Sequence, residues 1–176
     1  MPSLPSFDCG ALIEALDAKR AQHELGWTAL ADELWAESAD LNVRLADDCL
    51  CPGALVRHAR HPKAMTCQYA TIILRWLQRA PEDFLTGPTV AVGDTRLPDA
   101  GLDSRLRWDL PQLHAALNEY RSEHQLTWVA LADSLDCKPS RLTNLRNARL
   151  ADMDLAMRIT QRLAEPAARF IHPAQW

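Results

Sequence analysis

Residues 126–133 read Leu126-Thr127-Trp128-Val129-Ala130-Leu131-Ala132-Asp133, and a closely similar stretch stands 101 positions earlier. That earlier stretch, residues 25–32, reads Leu25-Gly26-Trp27-Thr28-Ala29-Leu30-Ala31-Asp32. At this offset residues 8–34 and 109–135 are identical at 13 of 27 positions, where chance would give roughly three. The chain therefore contains an internal repeat, and the repeat decides the fold class.

The similarity resumes further along the chain at a smaller offset of 86. The matching pairs are Cys51/Cys137, Arg60/Arg146, Ile73/Ile159, Leu77/Leu163 and Phe84/Phe170. We assign repeat 1 to residues 7–85, with an insertion over about 35–49, and repeat 2 to residues 108–172. Residues 86–107 hold three of the six glycines and are expected to be a linker, which Val90, Val92 and Leu97 could dock on a neighbouring unit.

Each repeat is predicted to be a small bundle of helices. In repeat 2, Asp109, Thr127 and Asp152 stand at positions typical of N-caps, and Pro139 is expected to start a short helix. Leu155, Ile159 and Leu163 recur at the spacing of one helix face. Because no segment shows a convincing strand pattern, we predict an all-α fold of two tandem bundles.

Two short helices joined by a turn of about three residues form a helix-turn-helix. Residues 109–171 resemble the Cro and lambda-repressor type of this domain, also called the xenobiotic-response-element type. The residues that carry the resemblance are Leu126-Thr127-Trp128-Val129-Ala130-Leu131-Ala132 and Pro139-Ser140-Arg141-Leu142-Thr143-Asn144-Leu145. Repeat 1 matches over 25–31, 52–61 and 67–85, but its insertion separates the two helices of the motif. The resemblance implies that the second helix of each motif enters the major groove of DNA.

The outward face of that second helix follows from the helical period. In repeat 2, Leu142 and Leu145 define the buried direction at about 100° per residue. The candidate DNA-binding residues of repeat 2 are Lys138, Ser140, Arg141, Thr143, Asn144, Arg146, Asn147 and Arg149. Asparagine pairs with adenine, the threonine methyl contacts thymine, and the basic side chains suit phosphate or guanine. The alternative is a solvated polar face without a partner.

In repeat 1 the same rotation predicts that Val56 and Ala59 are buried. The candidate DNA-binding residues there are Arg57, His58, Arg60, His61 and Lys63. The two predicted faces therefore differ, and a DNA site for both repeats is expected to have two unlike half-sites.

The charge of the chain is unevenly distributed. Its 19 basic and 23 acidic residues give a net charge of −4, which argues against non-specific coating of nucleic acid. Residues 138–149 nevertheless hold four basic residues and no acid, and residues 57–63 hold three basic residues and two histidines. Residues 24–48 hold seven acids and one base. Acid-free windows on both predicted faces favour an anionic partner.

Several other classes of protein are disfavoured. No apolar stretch is long enough to cross a bilayer, and the first residues lack a secretory signal, so we expect a cytoplasmic protein. The five cysteines are odd in number, which argues against a disulfide framework. A zinc site could be drawn from Cys49, Cys51, His58, His61 and Cys67, but the spacing fits no zinc pattern. We expect no metal, no cofactor and no enzymatic activity, since no catalytic motif is evident.

The sequence thus predicts a sequence-specific DNA-binding transcriptional regulator of bacterial type whose partner is double-stranded DNA. A homodimer is a further alternative for its assembly. One rival is a protein–protein interaction module with this fold, favoured by the acidic residues 24–48 and the insertion. The other is a ligand-sensing regulator without direct DNA binding, with its pocket between the repeats near the linker.

Overall fold

The computed structural model describes residues 4–62 and 64–176 and is mostly helical. The elements of the first half are β1 (Ser6–Phe7), α1 (Cys9–Gln22), α2 (Trp27–Ala36), α3 (Ala39–Leu45), α4 (Pro52–Arg60), α5 (Cys67–Leu77), a 3-10 helix (Pro81–Phe84) and β2 (Leu85–Thr86). Those of the second half are β3 (Arg105–Trp108), α6 (Leu110–Glu123), α7 (Trp128–Ser134), α8 (Pro139–Thr143), a 3-10 helix (Asn144–Asn147), α9 (Met153–Leu163), another 3-10 helix (Ala167–Phe170) and β4 (Ile171–Ala174). The same order of strands and α-helices occurs twice, and α3 is the addition in the first half.

The fold is mostly helical, as predicted, but two small antiparallel sheets of two strands each mean that it is not plainly all-α. In the first, β1 pairs with β2, and in the second β3 pairs with β4. Each pair joins the start of a repeat to its end. The strands have two to four residues each. Of them, β3 shows the alternation of polar and apolar residues that indicates a strand, Arg105-Leu106-Arg107-Trp108, at the lower length limit for such a pattern, and the sequence prediction missed it.

The two halves repeat one another in local detail. The backbone N–H of Asp8 donates to the carbonyl of Phe84 at 2.8 Å, and that of Asp109 donates to Phe170 at 2.7 Å. Asp8 and Asp109 also cap α1 and α6 with their side chains. Because the partners differ by the same offsets of 101 and 86, the sequence alignment and the backbone geometry agree.

A symmetric backbone contact joins the two halves. The N–H of Cys67 donates to the carbonyl of Ala151 at 2.8 Å, and the N–H of Met153 donates to the carbonyl of Met65 at 2.9 Å. Cys67 and Met153 are equivalent positions in the two repeats, and so are Met65 and Ala151, because the members of each pair are 86 residues apart. Thr66 therefore faces its own counterpart, Asp152. Such mutual exchange is the mark of an isologous contact, so the halves are related by an internal two-fold axis.

The packing across this axis is also reciprocal. Strand β3 packs on α5 of the first half, and β1 packs on α9 of the second. The N–H of Phe7 donates to Asp154 Oδ1 at 2.7 Å, and the N–H of its counterpart Trp108 donates to Gln68 Oε1 at 3.3 Å. Buried side chains from both halves form one continuous hydrophobic cluster. The repeats consequently share a core.

The inserted helix α3 has a partner in the second half. Arg105 is 6% exposed, and its guanidinium lies 2.6 Å from Asn42 Oδ1 and 2.8 Å from the Asp47 carboxylate. The same guanidinium stands over the ring of Trp35 at 4.6 Å. In the first repeat the matching position is Leu4. The insertion therefore supplies the groups that allow a buried arginine at the start of β3.

The segment between the halves is held by one arginine. Arg75, on α5, donates to the carbonyls of Glu37, Ala100 and Ser104 at 2.7, 2.8 and 2.9 Å. Near the start of the segment, the N–H of Val90 donates to Gln161 Oε1 at 2.7 Å. These bonds fix both ends of the segment against α5 and α9.

Glu37, which follows α2, makes the stability of the protein depend on pH. Burial raises its pKa from 4.5 to about 7, although the positive charges of Arg75 and Lys19 act in the opposite direction. The folded state binds this proton more tightly than the unfolded state. Its contribution to stability is therefore full below about pH 4.5 and is lost as the pH rises through about 7.

Replacing this carboxyl tests the pH dependence. We expect Glu37→Gln to raise the free energy of unfolding by about 1 to 2 kcal/mol at about pH 8, after allowance for the partial exposure of the side chain. At about pH 5 the variant should match the unsubstituted protein. Urea denaturation at the two pH values measures the difference, and an unchanged pH profile would contradict the assignment.

Candidate nucleic-acid interface

Helices α7 and α8 are two short helices joined by a tight connection. Thr127 caps α7 by accepting the N–H of Ala130 on its Oγ1 at 3.1 Å. Asp136, in the connection, adopts a left-handed conformation with φ of 50°. The N–H of Cys137 then donates back to the carbonyl of Ala132 at 3.0 Å. This return bond sets the direction in which α8 leaves the turn.

The buried side of α8 matches the sequence prediction. Leu142 is fully buried and Leu145 is 3% exposed. All eight candidate residues of repeat 2 are exposed: Lys138, Ser140, Arg141, Thr143, Asn144, Arg146, Asn147 and Arg149. These eight residues form what we call the α8 surface.

The polar groups of the α8 surface make few contacts inside the protein. Within residues 4–62 and 64–176, the side chains of Ser140, Asn144 and Asn147 have no hydrogen-bond partner. The Thr143 hydroxyl lies 3.4 Å from the carbonyl of Pro139, which leaves its methyl for an outside contact. The Arg141 guanidinium is 3.9 Å from the Asp152 carboxylate, at the limit of an ion pair. The surface is therefore free to bind an external partner.

The end of this helix has a tighter geometry than an α-helix. Residues Asn144–Asn147 form a 3-10 helix, in which side chains three residues apart eclipse one another. The side chains of Asn144 and Asn147 therefore leave the same side of the 3-10 helix. Each amide has both a donor and an acceptor, which can pair with a base edge.

A cleft beside the α8 surface contains residues that the sequence did not single out. The cleft has a volume of about 750 Å³ and is lined by His114, Asn118, Trp128, Thr143, Asn144, Arg146, Asn147 and Ala148. The rings of His114 and Trp128 are stacked at 5.2 Å. Burial, with the positive charge of Arg146, lowers the pKa of His114.

The repeat itself carried a signal for His114. Its counterpart in the first repeat is Ile13, which is 3% exposed in the core. A polar residue at a position that is apolar in the other copy indicates a changed role.

A second cleft, of about 520 Å³, lies beside the first and includes Arg107, Arg149 and Trp176. The guanidiniums of Arg107 and Arg149 lie against the Trp176 ring at 4.9 and 5.4 Å from its centre.

The buried side of α4 differs from the prediction. Leu55 is fully buried, whereas Val56 and Ala59 are only half-buried. Both helices begin at a proline, Pro52 and Pro139, and these prolines are 87 residues apart rather than 86. The correct counterpart of Leu142 is therefore Leu55. A one-residue change in the loop before α4 displaced the assumed alignment.

The corrected alignment also changes the position of His58. It now matches Leu145, and its ring is half-buried against Tyr69 at 5.0 Å between ring centres. Burial, aided by the charge of Arg57, lowers the pKa of His58. Arg57, Arg60 and His61 are exposed and form what we call the α4 surface. Lys63 lies outside the described residues.

The cysteine and histidine side chains considered for zinc do not gather. Cys49 and Cys51 are exposed, whereas Cys67 is buried, and burial raises the pKa of the Cys67 thiol. Across residues 4–62 and 64–176, no group of three or more histidine, cysteine, aspartate or glutamate side chains is arranged to hold a metal.

Both helices lead into the symmetric contact. α4 ends at Arg60, six residues before Thr66, and the 3-10 helix after α8 ends at Asn147, five residues before Asp152. An extended chain spans at most about 3.6 Å per residue, so the ends of the two helices lie at most about 45 Å apart.

Comparison with known proteins gives no counterpart for this surface. No protein-family model, no curated protein and no solved structure matches the chain. In the part of the chain that the structure describes, no helix is both long and apolar enough to span a membrane.

Proposed function

We propose that this chain is a DNA-binding transcriptional regulator of bacterial type that acts in the cytoplasm through tandem helix-turn-helix units. The observation that carries the proposal is the α8 surface, which is exposed, free of acids and largely without internal hydrogen bonds. In this reading α7 and α8 are the motif of repeat 2, and α2 and α4 are that of repeat 1. Helices α8 and α4 are then the recognition helices.

The composition of the α8 surface suits the two tasks of a DNA-binding helix. Asn144 and Asn147 can pair with adenine, and the Thr143 methyl can contact thymine. Arg141 and Arg146 flank these residues and can bind the phosphates on either side. The uncharged side chains that can contact bases are thus bordered by guanidiniums that can contact phosphates. This arrangement is expected, because phosphate contacts position a protein on the duplex and base contacts specify the sequence.

The internal two-fold axis supports binding by both repeats at once. Dimeric helix-turn-helix proteins place their recognition helices in grooves about 34 to 36 Å apart. The limit of about 45 Å between the ends of α4 and α8 allows this spacing. One chain would then occupy a two-part site that other proteins of this class occupy as homodimers.

The salt dependence of binding tests the proposal. With the full chain and a fluorescent duplex of mixed sequence, we expect affinity to fall steeply as salt rises. Six phosphate contacts from the two surfaces correspond to a slope of about −5 in log affinity against log salt. Fluorescence anisotropy at several salt concentrations measures the slope. Unmeasurable or salt-independent binding would reject the proposal.

A protein–protein interaction module is the second candidate, favoured by one feature of α3. Val43 is 83% exposed and Leu45 is 39% exposed, which is unusual for apolar residues on an added helix. Val43 also borders a cleft of about 500 Å³ with Trp35 and Asp32. If Val43→Asp abolishes the regulatory phenotype while Arg57→Glu with Arg141→Glu leaves it intact, this candidate replaces DNA binding.

A further inference from the structure

We infer that the two recognition helices read different bases at matching positions, so that the DNA site joins a guanine-containing half to an inverted adenine-containing half. The inference rests on the proposed DNA binding. It goes beyond it by naming the bases that each half of the site contains.

The matching positions are set by the packing of the two helices. Pro52 and Pro139 are each the first residue of their helix. Three positions later, Leu55 and Leu142 are both fully buried. Counting on from these two anchors, Arg57 occupies the place of Asn144. Further along, α4 stays α-helical to Arg60, whereas residues Asn144–Asn147 form a 3-10 helix, which rises about 2.0 Å per residue instead of about 1.5 Å. Arg60 therefore matches Arg146, as it does in the sequence, and not Asn147.

The difference in side chains changes the bases that each surface can accept. The guanidinium has only donors, and its fork fits the two acceptors of guanine, O6 and N7. The asparagine carboxamide has a donor side, which pairs with adenine N7, and an acceptor side, which pairs with the adenine amino group. Arg57 and Arg60 are exposed, and in the described part of the chain neither forms an ion pair. Both forks are therefore free for guanine.

The position just before Arg57 and Asn144 is nearly the same in both helices. Val56 matches Thr143, and the two side chains have almost the same shape. Because the Thr143 hydroxyl is directed to its own helix, each side chain presents methyl groups. A thymine methyl suits both. His58, which the sequence predicted to contact bases, is half-buried against Tyr69 with the two rings tilted at 34°, so we do not count it among the base-contacting residues.

The orientation of the two halves follows from the symmetric contact at Thr66 and Asp152. A two-fold axis relates the helices, so they cross the duplex in opposite directions and the half-sites are inverted. A palindromic site matches a protein with two identical recognition helices. Here the helices differ at one matched position, Arg57 against Asn144, and the preferred site is inverted but unlike in its two halves.

The experiment starts by selecting duplexes from a random pool with the full chain. Anisotropy is then measured on three duplexes with the selected spacing: the composite site, a palindrome of the adenine half and a palindrome of the guanine half. We expect the composite site to bind about tenfold or more tightly than either palindrome, since each lost bidentate pair costs that much. Arg57→Asn should move the preference to the adenine palindrome, and Asn144→Arg to the guanine palindrome.

A matched variant separates base reading from phosphate binding. Arg57→Lys with Arg60→Lys keeps both positive charges but removes the planar forks. We expect this variant to keep most of its affinity for mixed duplex and to lose its preference for guanine. Circular dichroism verifies that each variant is folded.

The outcomes test the assignment of bases separately from the proposed DNA binding. Selection of a symmetric palindrome, or equal affinity for the three duplexes, overturns the assignment of bases and leaves DNA binding standing. Absence of binding to any duplex by the folded chain overturns the proposed function, and the assignment with it. A preference that does not move in the asparagine and arginine exchanges also overturns the assignment.

Discussion

Replacing Trp108 by alanine is expected to lower the free energy of unfolding by about 3 to 5 kcal/mol. Trp108 is 2% exposed, and its indole N–H donates to Thr71 Oγ1 at 3.0 Å. It lies on β3 and packs against α5 of the other repeat. Its removal therefore leaves a cavity where the two repeats meet, while the Thr71 hydroxyl keeps its hydrogen bond to the carbonyl of Cys67 at 2.7 Å.

The shape of the unfolding curve is as informative as its midpoint. Because the core is continuous across both repeats, we expect one cooperative transition for the protein and for Trp108→Ala. Urea denaturation followed by circular dichroism measures both. Trp108→Phe is the matched control, since it keeps an aromatic ring and loses the bond to Thr71, at a cost of about 1 to 2 kcal/mol. Two separate transitions would show that the repeats unfold independently.

The second large effect is expected at the α8 surface. Arg141→Glu with Arg146→Glu should weaken binding to mixed duplex by roughly 100-fold at about 0.1 M salt, because two phosphate contacts become two repulsions. The salt slope should fall by about two. Both side chains are exposed, so stability should change little. Anisotropy measures affinity, and urea denaturation checks the fold.

The control for this variant makes the same change in net charge elsewhere. Arg44 lies on α3 and Arg96 in the segment between the repeats, and both are exposed. Arg44→Glu with Arg96→Glu is expected to weaken binding by no more than a few-fold, the effect of overall charge alone. Equal losses in the two double variants would mean that net charge, rather than the α8 surface, governs binding.

The sequence was informative where local and repeated patterns decide the structure. Leu142 and Leu145 alone predicted the buried side of α8, because a helix with two apolar residues three apart has one way to face a core. The caps Thr127 and Asp152 were predicted from residue type and position, and both form. The exposure of Asn144 and Asn147 follows from the same rotation.

Other features depended on contacts that no local pattern contains. The strands are created by pairing between the ends of each repeat, and apart from Arg105-Leu106-Arg107-Trp108 their residues carry no clear alternation. The buried side of α4 was predicted wrongly because one residue in the loop before Pro52 changes the alignment by a full position. Arg105 is buried only because the insertion brings Asn42 and Asp47 to it. Each depends on which distant segments meet.

The contact between Thr66 and Asp152 has a consequence for dosage. A regulator assembled from two separate chains loses its paired form on dilution, so its response to protein level is sigmoidal. Here the pair is covalently continuous and stays together at any concentration. If the chain binds DNA as we propose, occupancy would rise hyperbolically with copy number, because every molecule would carry both units.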